Sequence, residues 1–163
     1  PSRANVEAAR WLTKQYQEAV TSYGEEDARA RRLRMNIYAL AGRWSRGGWT
    51  IPASIRSEMK ATHPPRRDPM TRREARTLLR SLERAARTAT LARLRGGSHE
   101  HRRARSWEWM LGYQMAELEQ AGLRKAARKA AEHGIAAGKA LYRKLGRSRY
   151  TYASQRPKRR GAP

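Results

Sequence analysis

Residues 71–97 read TRREARTLLRSLERAARTATLARLRGG, and the fold class follows from them. Thr71 with Glu74 three residues later is a capping box, in which each side chain satisfies the other residue's free amide. Leu78, Leu82, Ala85, Ala86 and Ala89 then recur at helical spacing up to Leu94, and Gly96-Gly97 stops the run. The spacing predicts a helix over 71–94.

Upstream, His63-Pro64-Pro65-Arg66-Arg67-Asp68-Pro69 reads as an extended, proline-stiffened loop. A short helix is expected after Pro52, with Ile55 and Met59 on one face. Before it, Leu33, Ile37, Leu40 and Trp44 form the apolar stripe of a helix over about 25–44, ended by Arg46-Gly47-Gly48. Acidic Glu25, Glu26 and Asp27 lie at its positive end. Val6, Ala9, Leu12, Tyr16, Ala19, Val20 and Tyr23 predict a first helix over 4–23, stopped by Gly24. Downstream, a helical region is expected from Ser98 to about Leu145. Gly112, Gly122, Gly134 and Gly138 interrupt it weakly, each costing about 1 kcal/mol against alanine, with a break near Gly122. Residues 147–163 form a basic tail, and no segment alternates at period two. The expected class is all-α: an extended multi-helix structure with a small helical core. The expected division is a bundle over 1–95, a long, broken helical region over 98–146, and the tail.

The chain has 163 residues, with 37 Lys and Arg against 14 Asp and Glu, a formal charge of +23. Arginine supplies 30 of those cations and lysine 7. Apolar residues make up 39%, 27 residues are alanine, and there is no Phe or Cys, so a large self-sufficient core is not expected. Without cysteine there is no disulfide framework, thiolate metal site or cysteine nucleophile. No apolar run approaches the roughly 20 residues of a membrane helix. A free monomer at +23 repels itself, so the expected partner is a polyanion.

Arginine forks match phosphate oxygens bidentately and stack on bases, which fits structured RNA. The candidate RNA-binding residues are the paired Arg66-Arg67, Arg72-Arg73 and Arg102-Arg103, together with Arg147, Arg149, Tyr150, Tyr152, Arg156, Lys158, Arg159 and Arg160 of the tail. The tail tyrosines are placed to stack on unpaired bases, each contact worth about 1–3 kcal/mol. No zinc-finger spacing, RNP pattern, GXXG clamp or basic zipper is present, so backbone and shape are the expected determinants.

Nothing points to catalysis, a cofactor or a metal. In His99-Glu100-His101 the imidazoles diverge on a helix, and Arg102 and Arg103 repel a cation. Glu58, Asp68 and Glu74 read as charge partners and caps, not as an acid–base pair. Gly96-Gly97 is not followed by the Lys-Ser/Thr of a phosphate loop. Trp107 and Trp109, two apart, face different ways: one toward a core, one toward a partner surface.

Residues 37–95 resemble the LYR-motif proteins of mitochondria. Ile37-Tyr38-Ala39-Leu40-Ala41-Gly42-Arg43 resembles the family's first-helix motif, with Ala39 in place of its Arg. Ile55-Arg56-Ser57-Glu58-Met59-Lys60 resembles the second, with Met59 in place of its Phe. Asp68-Pro69 followed by Leu78-Leu79 and Leu82 is similar to the third. The resemblance implies a place in a respiratory complex, in iron–sulfur assembly or in a mitochondrial ribosome. It also implies an acyl carrier protein as a partner, its acidic surface near Tyr38, Arg43, Arg56 and Lys60.

The expected function is that of a structural, RNA-binding component of a mitochondrial ribosome, with ribosomal RNA and ribosomal proteins as partners, and not of a free monomer. The alternative is an accessory subunit of a respiratory complex that binds acyl carrier protein, and a third reading is a DNA-packaging or viral structural protein. The chain starts at Pro1, which is consistent with removal of an initiator Met or of a presequence, and the mitochondrial matrix is the expected compartment.

Overall fold

The computed structural model describes residues 3–46, 56, 57, 59, 63 and 68–146. Among them every regular element is helical: α1 (Arg3–Tyr23), α2 (Ala28–Arg46), α3 (Arg72–Arg95), α4 (Ser98–Gln120) and α5 (Arg124–Leu145). The basic tail lies outside the described residues, as does most of the span between α2 and Asp68, where Arg56, Ser57, Met59 and His63 are described, the first three as helical.

Local chemistry sets the helix ends. The Thr71 hydroxyl accepts from the Glu74 amide at 3.1 Å, and the Glu74 carboxylate accepts from the Thr71 amide at 3.1 Å. Helix α2 starts three residues later than its acidic cluster suggests. The Asp27 carboxylate accepts from the Arg29 amide at 2.9 Å, so Asp27 caps the helix and Glu25 and Glu26 occupy the preceding turn. The long region after Ser98 is two helices. Gly122 adopts the left-handed conformation (φ 77°), its amide bonds to the Glu119 carbonyl at 3.0 Å, and the Leu123 amide bonds to the Leu118 carbonyl at 2.9 Å. These two bonds make a Schellman cap, and Leu118 and Leu123 belong to one apolar cluster on its inner side.

The helices pack in the spatial order α1, α2, α4, α3, α5, so α4 is the central element. Two apolar clusters result. One joins Ala9, Tyr16 and Ala19 of α1 to Ala30, Ile37, Ala41 and Trp44 of α2, with Met59 alongside. The other joins Leu82, Ala85 and Ala86 of α3 to Leu111, Met115 and Leu118 of α4 and to Ala127, Ala131 and Ile135 of α5. Alanine is prominent in both, so each buried position contributes little area and stability depends on close backbone approach.

Glycine provides that approach. A Cβ on Gly42 of α2 would lie 1.6 Å from the Glu108 carbonyl oxygen of α4, and one on Gly112 would lie 2.0 Å from the Tyr38 carbonyl oxygen. The pairing of 42 with 108 and of 38 with 112 makes α2 and α4 antiparallel. On α5, a Cβ on Gly134 would lie 2.3 Å from the Glu83 carbonyl oxygen, and one on Gly138 would lie 2.6 Å from that of Arg87. These pairs run in the same direction, so α3 and α5 are parallel. Gly112, Gly134 and Gly138, which read as weak interruptions, are the points where helices touch.

Candidate nucleic-acid interface

Of the arginines singled out in the sequence, Arg72 and Arg73 are exposed in the first turn of α3, and Arg102 and Arg103 are exposed in the first half of α4. Arg66, Arg67, Arg147, Arg149, Tyr150, Tyr152, Arg156, Lys158, Arg159, Arg160 and Lys60 lie outside the described residues. Of the residues tied to a carrier protein, Arg43 is exposed and Arg56 half-buried, whereas Tyr38 is in the interior with its ring 1% accessible. Arg102 borders an open groove between α2 and α4, with Met35 and Ala39 on one side and Trp109 and Met110 on the other.

The fold brings further cations beside these. Arg76, Arg80, Arg84 and Arg87 continue from Arg72 and Arg73 along the exposed side of α3, and the Arg84 guanidinium lies 5.7 Å from the centre of the Trp107 ring. Their three- and four-residue spacing is visible in the sequence, but the adjacent pairs obscure it, because neighbours in sequence diverge around a helix. Trp107 packs partly against the second cluster and Trp109 lies 6.0 Å from Tyr113, so both indoles are half-buried.

Two buried polar clusters hold the elements that carry this surface. Glu108, 1% accessible, sits where α2, α3 and α4 meet. One carboxylate oxygen accepts from Arg46 Nε at 3.0 Å; the other accepts from Arg93 Nε at 3.1 Å and from Arg93 Nη2. Arg93 also donates to His101 Nδ1 at 2.7 Å. One buried anion thus faces two cations, a charge-assisted arrangement with both oxygens occupied. Its signal in the sequence is a glutamate at the core positions of Ala104, Leu111 and Met115.

In the second cluster, the Tyr38 hydroxyl donates to His63 Nδ1 at 2.6 Å and His63 Nε2 donates to the Glu117 carboxylate at 3.1 Å, the tautomer following from the partners. Tyr113 packs on both rings. Burial raises the Tyr38 hydroxyl well above the usual tyrosine value, and burial followed by the Glu117 charge raises Tyr113. Burial pulls the His63 imidazole below its ordinary value, against the hydrogen bond and charge of Glu117, with Arg34 adding to the downward shift. The cluster ties His63 to both α2 and α4. His63, expected in an extended loop, is interior.

A stability change with pH follows. The fold favours neutral His63, so this contribution is fully present above the unfolded-state value of about 6.5 and is lost as pH falls from there through the lower folded value. The denaturation midpoint of the protein should drop between about pH 7.5 and pH 5.5, and the drop should shrink in His63→Asn. An equal drop in both would show that His63 does not titrate with unfolding.

Among the described residues, no group of three His, Cys, Asp or Glu is placed to hold a metal ion; His99 and His101 are exposed and Glu100 is buried. No described helix is long and apolar enough to cross a membrane. No protein-family model, curated protein or solved structure matches the chain. What the surface can do chemically is bind anions: guanidinium groups in number, held by rigid helices, with exposed and half-buried tryptophans interspersed (Trp11, Trp107, Trp109).

Proposed function

We propose that this protein is a structural RNA-binding component of a large ribonucleoprotein, and that it neutralises and bridges phosphates. The observation that carries the reading is the +23 charge, made mostly of arginine and displayed on the exposed faces of helices whose apolar faces pack for the most part on one another. The ribonucleoprotein we favour is a mitochondrial ribosome, on the resemblance of residues 37–95 to LYR-motif proteins. The basic tail, with its tyrosines, would thread between RNA segments while exposed apolar side chains of α1 and α2, Trp11 and Met35 among them, meet neighbouring proteins.

Binding dominated by phosphate contacts releases counter-ions and depends steeply on salt. The full chain should bind structured RNA with an affinity that falls about 10³-fold or more between roughly 50 and 200 mM salt. Absence of binding at the lower salt, or an affinity that salt leaves unchanged, would contradict the reading. Removing residues 147–163 should weaken binding and flatten its salt dependence while leaving the helical circular dichroism in place.

A further inference from the structure

We infer that the exposed face of α3 is a rail for the phosphate backbone of a helical RNA segment, which it binds by charge and shape without reading sequence. The inference rests on the RNA-binding reading above and adds the surface and the mode.

Arg73, Arg76, Arg80, Arg84 and Arg87 are all exposed. At about 100° per residue they fall within an arc of about 80°, and at 1.5 Å per residue they span about 21 Å. Among the described residues none of the five is paired with a carboxylate. Of the two acidic residues of α3, Glu74 is spent on the cap, and half-buried Glu83 borders the row on the α5 side, about 20° from Arg76 in projection. The row is therefore a line of five cations beside one half-buried carboxylate, on a capped helix that two neighbours hold rigid.

What surrounds the row selects the partner. A protein interface needs apolar anchors at its centre, but Thr77, Ser81 and Thr88 flank these arginines on one side, and the apolar groups near the row, Trp107 beside Arg84 and Leu91 and Leu94 beyond Arg87, lie toward its C-terminal end. An interfacial membrane helix needs an apolar face to bury in lipid, but that face of α3 is covered by α4 and α5. A regular line of phosphates needs only guanidinium groups at regular spacing. The partner's geometry fixes the mode. The major groove of an A-form helix is too deep and narrow for side chains to read, so the arginines of α3 reach backbone oxygens and not base edges. An A-form helix, recognised through phosphates and shape, suits such a surface.

The test uses the full chain and an RNA hairpin with a 20-base-pair stem of arbitrary sequence. Changing Arg73, Arg76, Arg80, Arg84 and Arg87 together to Gln should flatten the log–log salt slope by about 4, since each phosphate contact contributes about 0.7–0.9. Restoring the five positions as Lys should restore most of the slope. A control removes five exposed cations of α5 (Lys125, Arg128, Lys129, Lys139 and Arg143 to Gln) and should flatten the slope by less than about 1. If the two Gln variants lose equally, net charge and not the rail drives binding, and the inference fails while the RNA reading stands. If the unaltered chain does not bind the hairpin, both fail. If a DNA duplex of the same sequence binds as tightly and loses as much in the α3 variant, the RNA assignment of the rail fails. Should the α3 variant not fold, the absence of cysteine allows a single Thr77→Cys bearing a hydroxyl-radical probe. Cuts along the stem backbone are expected, and an uncut stem overturns the inference.

Discussion

Gly42→Ala should unfold the protein or destabilise it by about 3 kcal/mol or more, the upper end of overpacking costs. The added methyl would sit 1.6 Å from the Glu108 carbonyl oxygen, a backbone atom that no rotamer change can move. Relief requires α2 and α4 to separate, which in turn pulls Arg46 Nε from Glu108 and the Tyr38 hydroxyl from its place beside α4. Gly112→Ala should behave alike, since it collides with the Tyr38 carbonyl at 2.0 Å from the other side of the same crossing. Gly24→Ala is the informative comparison. Gly24 has φ 88° and nothing within 4 Å of an added Cβ, so only the backbone cost of about 1–2 kcal/mol applies. Urea denaturation of the three variants checks this. Equal losses at 24 and 42 would mean that α2 and α4 do not approach this closely.

Glu108→Ala should cost about 3–5 kcal/mol, because it leaves the Arg46 and Arg93 guanidinium groups partly buried without their shared anion. The loss is a penalty of desertion more than a measure of the pair's worth. Replacing all three together, Arg46→Met, Arg93→Met and Glu108→Leu, should recover most of the stability, as apolar side chains of similar volume do elsewhere. Equilibrium denaturation of the single and triple variants distinguishes the cases. A single variant as stable as the parent would show that Glu108 is not a buried ionic hub. Arg93 ties this hub to α3, so Glu108→Ala should also weaken RNA binding by loosening the arginine rail, with the salt slope little changed.

Helix ends were legible where local chemistry decides them: Thr71 with Glu74, Gly24, Gly96 and the break at Gly122. The all-helical class followed from the same residues. What remained hidden depends on which helix faces which. Gly134 and Gly138 show as a pair four residues apart, but a sequence does not say that Glu83 and Arg87 of α3 press against them. Glu108 and His63 look like ordinary polar residues until distant partners, Arg46 and Arg93 for one, Tyr38 and Glu117 for the other, close around them. The arginine pairs were conspicuous in one dimension, whereas the row from Arg73 to Arg87 becomes a surface only when α4 and α5 cover the rest of α3. Tyr38 shows the same effect in reverse: it stands out within a motif-like string, yet it is folded inward onto His63.

Purification of the native particle, with its RNA sequenced and its proteins identified by mass spectrometry, tests the RNA-binding reading most directly. Ribosomal RNA at about one copy per chain, accompanied by ribosomal proteins, is the predicted composition, and mild ribonuclease treatment should release the chain. Respiratory subunits with an acyl carrier protein and no RNA would contradict it.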